Sequence, residues 1–206
     1  MVKVVAAVLA FNEKQFAQTI AKFGSHFTEI QVDVCTTDFV NIETVDLEKI
    51  NILPNFQVGW HLMTNTFKNI ELIEKFDTVN LIIHVESNLR REQLEKQLNR
   101  EVKWGLAINP ETEIKKVINE IDNYDFIQLM GVKPGKQGQE FNPLVVEKIV
   151  ELEKIESKLP IWIDGGINEK SVVLLHGRKI DTLVVGSYLL GEGDIVDKKN
   201  FLENSL

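Results

Sequence analysis

Five polar residues interrupt or end apolar, strand-like runs of this sequence: Asp33, His61, His84, Asn109 and Asp164. Two carboxylates and two imidazoles are the side chains of general acid–base chemistry and of divalent-metal binding. A single such residue has a structural explanation, since a strand Asp can cap a turn and a lone His can be a satisfied core residue. Buried charge is nevertheless rare unless paired or coordinated, so several interruptions at equivalent strand positions point to a site. Glycines form a second group. Pro134-Gly135-Lys136-Gln137-Gly138-Gln139, Gly165-Gly166 and Gly186-Ser187 each follow an apolar run. Glycine lets backbone N–H groups approach an anion closely, and three such turns on consecutive late loops match a phosphate site. The ligand class this predicts is a small phosphorylated molecule.

The elements that would position these groups are β-type runs alternating with helical stretches. The runs are 2–9, 29–34, 56–63, 78–86, 102–108, 125–132, 160–166 and 181–187, most of them nearly continuous in Val, Ile and Leu. That is the pattern of strands buried on both faces of a parallel sheet. The clearest helix spans 143–157, with Leu144, Val145, Ile149, Leu152 and Ile155 as its apolar stripe. Asn109-Pro110-Glu111 and Asn168-Glu169 read as helix starts. Residues 46–53 are short enough to hold little more than two turns, and 191–206 reads as a terminal helix against the outside of the sheet. Eight strands with about seven or eight helices predict an α/β fold, either a compact (β/α)8 TIM barrel or an open doubly wound sheet. No GxGxxG follows the first run, which weakens the dinucleotide-binding form of the open sheet. In a barrel the carboxyl ends of all strands converge on one face, where active sites are built.

At 206 residues without a Pro/Gly/Ser-rich linker, one domain over 1–206 is expected. Lys plus Arg total 23 against 31 Asp plus Glu, a net charge of −8. That sign argues against nucleic acid or an anionic membrane as partner. Cys35 is the only cysteine, so neither an intrachain disulfide nor a cysteine zinc cluster can form. The apolar run Val4 to Ala10 is too short to cross a bilayer and lacks the full architecture of a signal peptide. A cytoplasmic protein is the expectation. His26 and His176 read as solvated surface residues, and Cys35 as a small core residue or a thiol at the pocket strand.

The order VDV…F, HLM, HVES, GLAINPET, MGVKPGKQGQEF, IDGGI and VVGS resembles the ribulose-phosphate 3-epimerase family over nearly the whole chain. Its most specific pieces are PGKQGQEF, close to that family's PGFGGQxF, and IDGG, close to VDGG. The resemblance implies a (β/α)8 barrel that inverts carbon 3 of pentulose phosphates. It further implies that Asp33 and Asp164 are the two proton-transferring carboxylates, and that Asp33, His61 and Asp164 hold a divalent metal (Zn, Fe, Mn or Mg). Met63 and Met130 would pack beside the substrate. Gly135, Lys136, Gln137, Gly138, Gly165, Gly166, Gly186 and Ser187 would surround the phosphate of a small phosphorylated sugar. His84 would support the site through hydrogen bonds, and a homo-oligomer is expected.

Departures from the family pattern fall at the chemistry. Where the family reads HxDVMDGxFVPN, this chain reads QVDVCTTDFVNI. Gln31 thus stands at the fourth metal-ligand position, where its carboxamide is a weak neutral oxygen donor that favours harder ions. Ala7 replaces a substrate-contacting serine, and Lys136-Gln137 replaces Phe-Gly in the phosphate loop. Two readings follow from the resemblance: an active sugar-phosphate epimerase, or a relative that binds a sugar phosphate as sensor or scaffold. A barrel lyase of the orotidine or ketogulonate phosphate decarboxylase kind would need DxKxxD, but Val34 and Cys35 follow Asp33.

Overall fold

The computed structural model describes residues 1–50, 55–68 and 70–206. Strands β1 (Lys3–Val8), β2 (Glu29–Cys35), β3 (Gln57–Met63), β4 (Asp77–His84), β5 (Lys103–Ile108), β6 (Phe126–Met130), β7 (Ile161–Asp164) and β8 (Thr182–Val185) pair in sequence order. Every pairing is parallel, and β8 returns to β1 to close the barrel. This is the barrel rather than the open sheet. Outward Val, Ile and Leu of the strands are covered by α1 (Glu13–Phe23), α2 (Arg91–Glu95), α3 (Leu144–Lys154), α4 (Glu169–Leu174), α5 (Ser187–Leu190) and α6 (Ile195–Glu203), together with connecting loops. Among the described residues no helix is long and apolar enough to cross a membrane.

Several helix expectations need correction. After Asn109-Pro110-Glu111 no α-helix forms; the chain makes two single 3₁₀ turns, Ile114–Lys116 and Ile121–Asn123. Thr112, Ile114, Val117, Ile118 and Ile121 are β-branched, and Asn119, Asp122 and Asn123 compete for backbone hydrogen bonds, so the segment is a poor helix former. Ile114, Val117 and Ile121 still reach the core. The crossovers from β2 to β3 and from β3 to β4 likewise show 3₁₀ turns, Leu47–Lys49 and Ile70–Lys75, among the described residues. The part of the expected two-turn segment at 51–53 lies outside the described residues. On α3 the buried stripe is Val145, Ile149 and Leu152, joined by Lys148. Leu144 and Ile155 are 42% and 41% exposed. Leu144 lies about 100° round the helix from Val145, and Ile155 follows the last helical residue.

Other expectations hold. Asn168 caps α4, accepting from the Lys170 and Ser171 N–H groups at 2.8 and 3.1 Å, while its own N–H donates to Ser171 Oγ at 2.9 Å. The terminal helix α6 starts on Asp194, buries Leu202, and places the Glu203 carbonyl to accept from the Val2 N–H at 3.2 Å.

Alternation along each strand decides what enters the barrel. Val5, Ala7, Ile82, Ala107, Phe126, Met130, Trp162 and Val184 pack as an inner cluster separate from the outer core. The Phe126 and Trp162 rings stack at 4.1 Å. Gly105 makes room for this stack, because a Cβ there would lie 2.4 Å from Phe126 Cε2. Replacing Gly105→Ala is therefore expected to overpack the inner layer and cost about 1–3 kcal/mol, read as a lowered urea midpoint at unchanged slope; an unchanged midpoint would show that the ring stack yields freely.

Candidate active site

The same alternation turns Gln31 and Asp33 inward from β2, because they are two residues apart. Register does the rest: Asp33 lies opposite His61 across the β2–β3 pair, and Met130 opposite Asp164 across β6–β7. At the carboxyl-terminal mouth one ligand atom each from Asp33, His61 and Asp164 falls within 4.8 Å of the others. His61 Nδ1 is 3.1 Å from Asp33 Oδ1 and 3.4 Å from Asp164 Oδ2. The structure thus brings together the three residues that the sequence singled out for this role.

Gln31 reaches the same point with its amide nitrogen. Nε2 donates to Asp164 Oδ2 at 2.7 Å and to Asp33 Oδ1 at 3.3 Å, and lies 3.3 Å from His61 Nδ1. Oε1 is the buried end and has no hydrogen-bond partner. The orientation therefore differs from the oxygen donor expected of Gln31: beside two carboxylates an amide N–H is favoured and a carbonyl oxygen is repelled. A half-turn of the amide exchanges its two ends. Adjacent ligands around a tetrahedral first-row cation bonded at about 2.0–2.1 Å stand roughly 3.3–3.4 Å apart, close to the separations of His61 Nδ1 from its three neighbours. The donor set fits a divalent ion, and the unpartnered Gln31 oxygen is the fourth donor such an ion would use.

Gln128 was not singled out by the sequence reading. Its Nε2 donates to Asp164 Oδ2 at 2.9 Å, and its side chain is fully buried. The signal was present, a polar residue inside the apolar run FIQLM, and was the same kind that marked Asp33 and His61. Glu86 was missed as well. Its Oε2 accepts from His84 Nδ1 at 3.1 Å, and its Oε1 accepts from the Asn109 N–H at 2.9 Å. His84 Nε2 lies 2.8 Å from His61 Nε2, so His84 does support the cluster. Asn109 contributes through its backbone and lines a neighbouring outer groove rather than the acidic pocket.

Burial and charge set the protonation of these groups. Burial pushes the Asp33 carboxyl up, against the lowering effect of its His61 contact. For His61 burial opposes the charge, but hydrogen bonds and attraction to Asp164 and Asp33 prevail and raise it to about 9. Burial pushes His84 down to about 4, so it is neutral near pH 7. Burial also opposes the Glu86 charge, yet hydrogen bonds from His84, Thr112 and the Asn109 N–H prevail and keep it ionised. Burial, with Asp33 and Asp164 nearby, pushes the Cys35 thiol up, so it behaves as the core residue rather than as a thiolate. His26 and His176 are exposed, as expected.

Above the cluster the pocket is walled by Met63 and Met130 and rimmed by Gly135 to Gly138, Gly165-Gly166 and Gly186-Ser187. Among the described residues Lys136 is its one lysine or arginine, and Ala7 stands on the wall next to Gly186. Gly165 and Gly166 have φ of 99° and 71°, and a Cβ on Gly166 would lie 2.7 Å from Phe141 Cα. Only glycine fits there. The Gln137 amide lies against Gly186, 2.8 Å from where a Cβ would be. All the expected rim residues therefore line one opening shared with both aspartates.

Comparison with known proteins agrees with this arrangement. The chain is 32% identical to ribulose-phosphate 3-epimerase of Encephalitozoon cuniculi (strain GB-M1) over 180 residues, 86% of this chain and 80% of that one. It is 29% identical to ribulose-phosphate 3-epimerase of Bacillus subtilis (strain 168) over 207 residues, 94% of each. In structure it is similar to 3-hexulose-6-phosphate synthase from Salmonella typhimurium, with a TM-score of 0.69, 15% identity, and coverage of 99% of this chain and 98% of that one. It is also similar to 3-keto-L-gulonate-6-phosphate decarboxylase from Vibrio cholerae, with a TM-score of 0.65, 11% identity and coverage of 99% and 96%. At those identities the two structures share the fold alone. The sequence model described as "Ribulose-phosphate 3 epimerase family" matches residues 3–190, and the chain belongs to that family of isomerase-class enzymes.

Proposed function

We propose that the protein inverts carbon 3 of a pentulose 5-phosphate, interconverting the ribulose and xylulose forms, with Asp33 and Asp164 as the proton-transferring pair. The observation that carries this reading is the meeting of two carboxylates, Asp33 of β2 partly exposed and Asp164 of β7 buried, beneath a glycine rim. Epimerisation beside a ketone needs a base on one face of the carbon and an acid on the other. Each aspartate commits one oxygen to the cluster, Oδ1 of Asp33 and Oδ2 of Asp164, leaving its other oxygen to carry a proton. Desolvation that raises Asp33 toward working pH suits a group that must take and release a proton. Asp33, His61 and Asp164 would hold a divalent cation, with the Gln31 oxygen as a weak fourth donor. When bound, the cation supplies Lewis-acid stabilisation of negative charge on the substrate oxygens. Gln128 holds Asp164 in place, and Met63 and Met130 exclude water from the reacting carbon.

The phosphate would lie against the main-chain N–H groups of Gly165-Gly166 and Gly186-Ser187, with the Lys136 ammonium opposite. A positive group at the rim and negative groups at the floor orient an anionic sugar one way round. Two observations favour a second reading, binding of a sugar phosphate without turnover: the Gln31 amide N–H donates to both carboxylates where a cation would act, and Ala7 on the pocket wall offers no hydroxyl to the substrate.

Exchange of the carbon-3 hydrogen of ribulose 5-phosphate with solvent deuterium, followed by NMR, separates the two. With added Mg²⁺, Mn²⁺ or Zn²⁺ the protein is expected to catalyse exchange, and Asp33→Asn and Asp164→Asn each to lose about 10²–10⁴-fold. Tight binding without exchange under any of these ions would establish the second reading. Chelation is expected to abolish exchange reversibly, Mg²⁺ or Mn²⁺ restoring it at least as well as Zn²⁺. For Lys136→Ala, KM should rise about tenfold, the loss of one charge-assisted contact, with kcat little changed; a fall confined to kcat would remove Lys136 from the phosphate site.

A further inference from the structure

From the ring nitrogen of His61 that does not face the aspartates, a second polar chain leads off: His61 Nε2 to His84 Nε2 at 2.8 Å, His84 Nδ1 to Glu86 Oε2 at 3.1 Å, and Glu86 Oε1 to the Asn109 N–H at 2.9 Å. Both imidazole side chains are fully buried. Proton transfer at carbon 3 does not require this chain. We propose that Glu86 and His84 are positioning residues that commit the His61 Nε2 hydrogen to His84, so that the other nitrogen, Nδ1, presents its lone pair to the space between Asp33 and Asp164. The inference rests on reading that space as a cation site.

Donor counting carries the argument. Two ring nitrogens 2.8 Å apart have room for one hydrogen between them. An ionised carboxylate only accepts, so the nitrogen of a neutral His84 that faces Glu86, Nδ1, must carry its single hydrogen for that 3.1 Å contact to be a hydrogen bond. His84 Nε2 is then bare and can only accept, which places the shared hydrogen on His61 Nε2. His84 cannot easily escape this role. Its ring meets His61 end to end, centroids 4.9 Å apart with 19° between planes, the alignment a ring-to-ring hydrogen bond needs, and Phe39 packs against it at 5.1 Å. The turn that brings Glu86 back onto its own strand's last residue is also tied down: Ser87 Oγ donates to the His84 carbonyl at 2.8 Å and accepts from the Leu89 N–H at 3.2 Å. With the opposite tautomer, His61 Nδ1 would carry a hydrogen into the cluster and exclude a cation. Outer partners of this kind typically change metal affinity 10–100-fold.

The test combines nitrogen chemical shifts of ¹⁵N-histidine-labelled protein with Co²⁺ titration followed by visible absorption. In the metal-free and Zn²⁺-loaded wild type, His61 should be protonated at Nε2, and His84 protonated at Nδ1 and bare at Nε2. Glu86→Met, which cannot accept, should move the His84 hydrogen to Nε2 and weaken Co²⁺ binding about 10–100-fold. Glu86→Gln, which can accept through its amide oxygen, should keep most of both. A bare His61 Nε2 in the wild type, or a Glu86→Met variant with unchanged shifts and Co²⁺ affinity, overturns the relay. A wild type that binds no Co²⁺ sinks the cation reading instead, and the His84 shifts of the metal-free protein, Nδ1 protonated and Nε2 bare or the reverse, still decide the relay. A purely structural role for Glu86 would lower the melting temperature without moving the tautomer.

Discussion

Two carboxylates of like charge, held largely out of water at one end of a closed barrel, need something electropositive between them. At an effective dielectric of about 20, two such charges at 4 Å repel by about 4 kcal/mol, before the cost of removing each from water. The described side chains around Asp33 and Asp164 answer that demand. Gln31 and Gln128 turn their amide nitrogens toward them, leaving both amide oxygens unpartnered. His61 places a ring nitrogen at 3.1 and 3.4 Å. An arrangement that leaves buried oxygens unsatisfied in order to aim donors at one point is costly to stability. Such costs are characteristic of sites built for chemistry rather than for the fold.

The barrel makes this concentration possible because its interior is filled by alternate residues of all its strands. Apolar side chains occupy the middle layer, where Phe126 stacks on Trp162. Polar groups appear above and below it. At the lower end Glu29 is paired with Lys3 and accepts from Asn80 Nδ2 at 2.9 Å, and none of these side chains has a fully buried polar atom without a partner. At the upper end the polar set is left incomplete, and there the pocket opens. The contrast between a satisfied polar layer and an unsatisfied one marks the functional face without appeal to any relative.

The pocket is also polarised along its length. Its floor carries the carboxylates, and its rim carries Lys136 with backbone amides of glycines, of which Gly165 and Gly166 combine positive φ with no room for a Cβ. An elongated ligand with an anion at one end fits that gradient. The net charge of −8 belongs to the whole chain and does not describe this opening, because a few local donors outweigh distant screened charges at contact range.

The strands were legible in the sequence because parallel strands buried on both faces must be apolar throughout. For the same reason Asp33, His61 and Asp164 stood out, since a polar side chain in such a run is costly unless it is used. Gln128 carried the same mark and was passed over because a neutral amide is a weaker anomaly than a charge. Helical spacing misled at 111–124, where Ile114, Val117 and Ile121 reach the core from 3₁₀ turns: periodicity reports which residues are buried, not which hydrogen bonds the backbone makes. What only the tertiary structure decided were matters of direction: which end of Gln31 faces the carboxylates, and that Glu86 folds back onto His84. Direction depends on partners far away in the chain, Asp164 for Gln31 and Asn109 for Glu86, and separations of that kind become contacts only when the barrel closes.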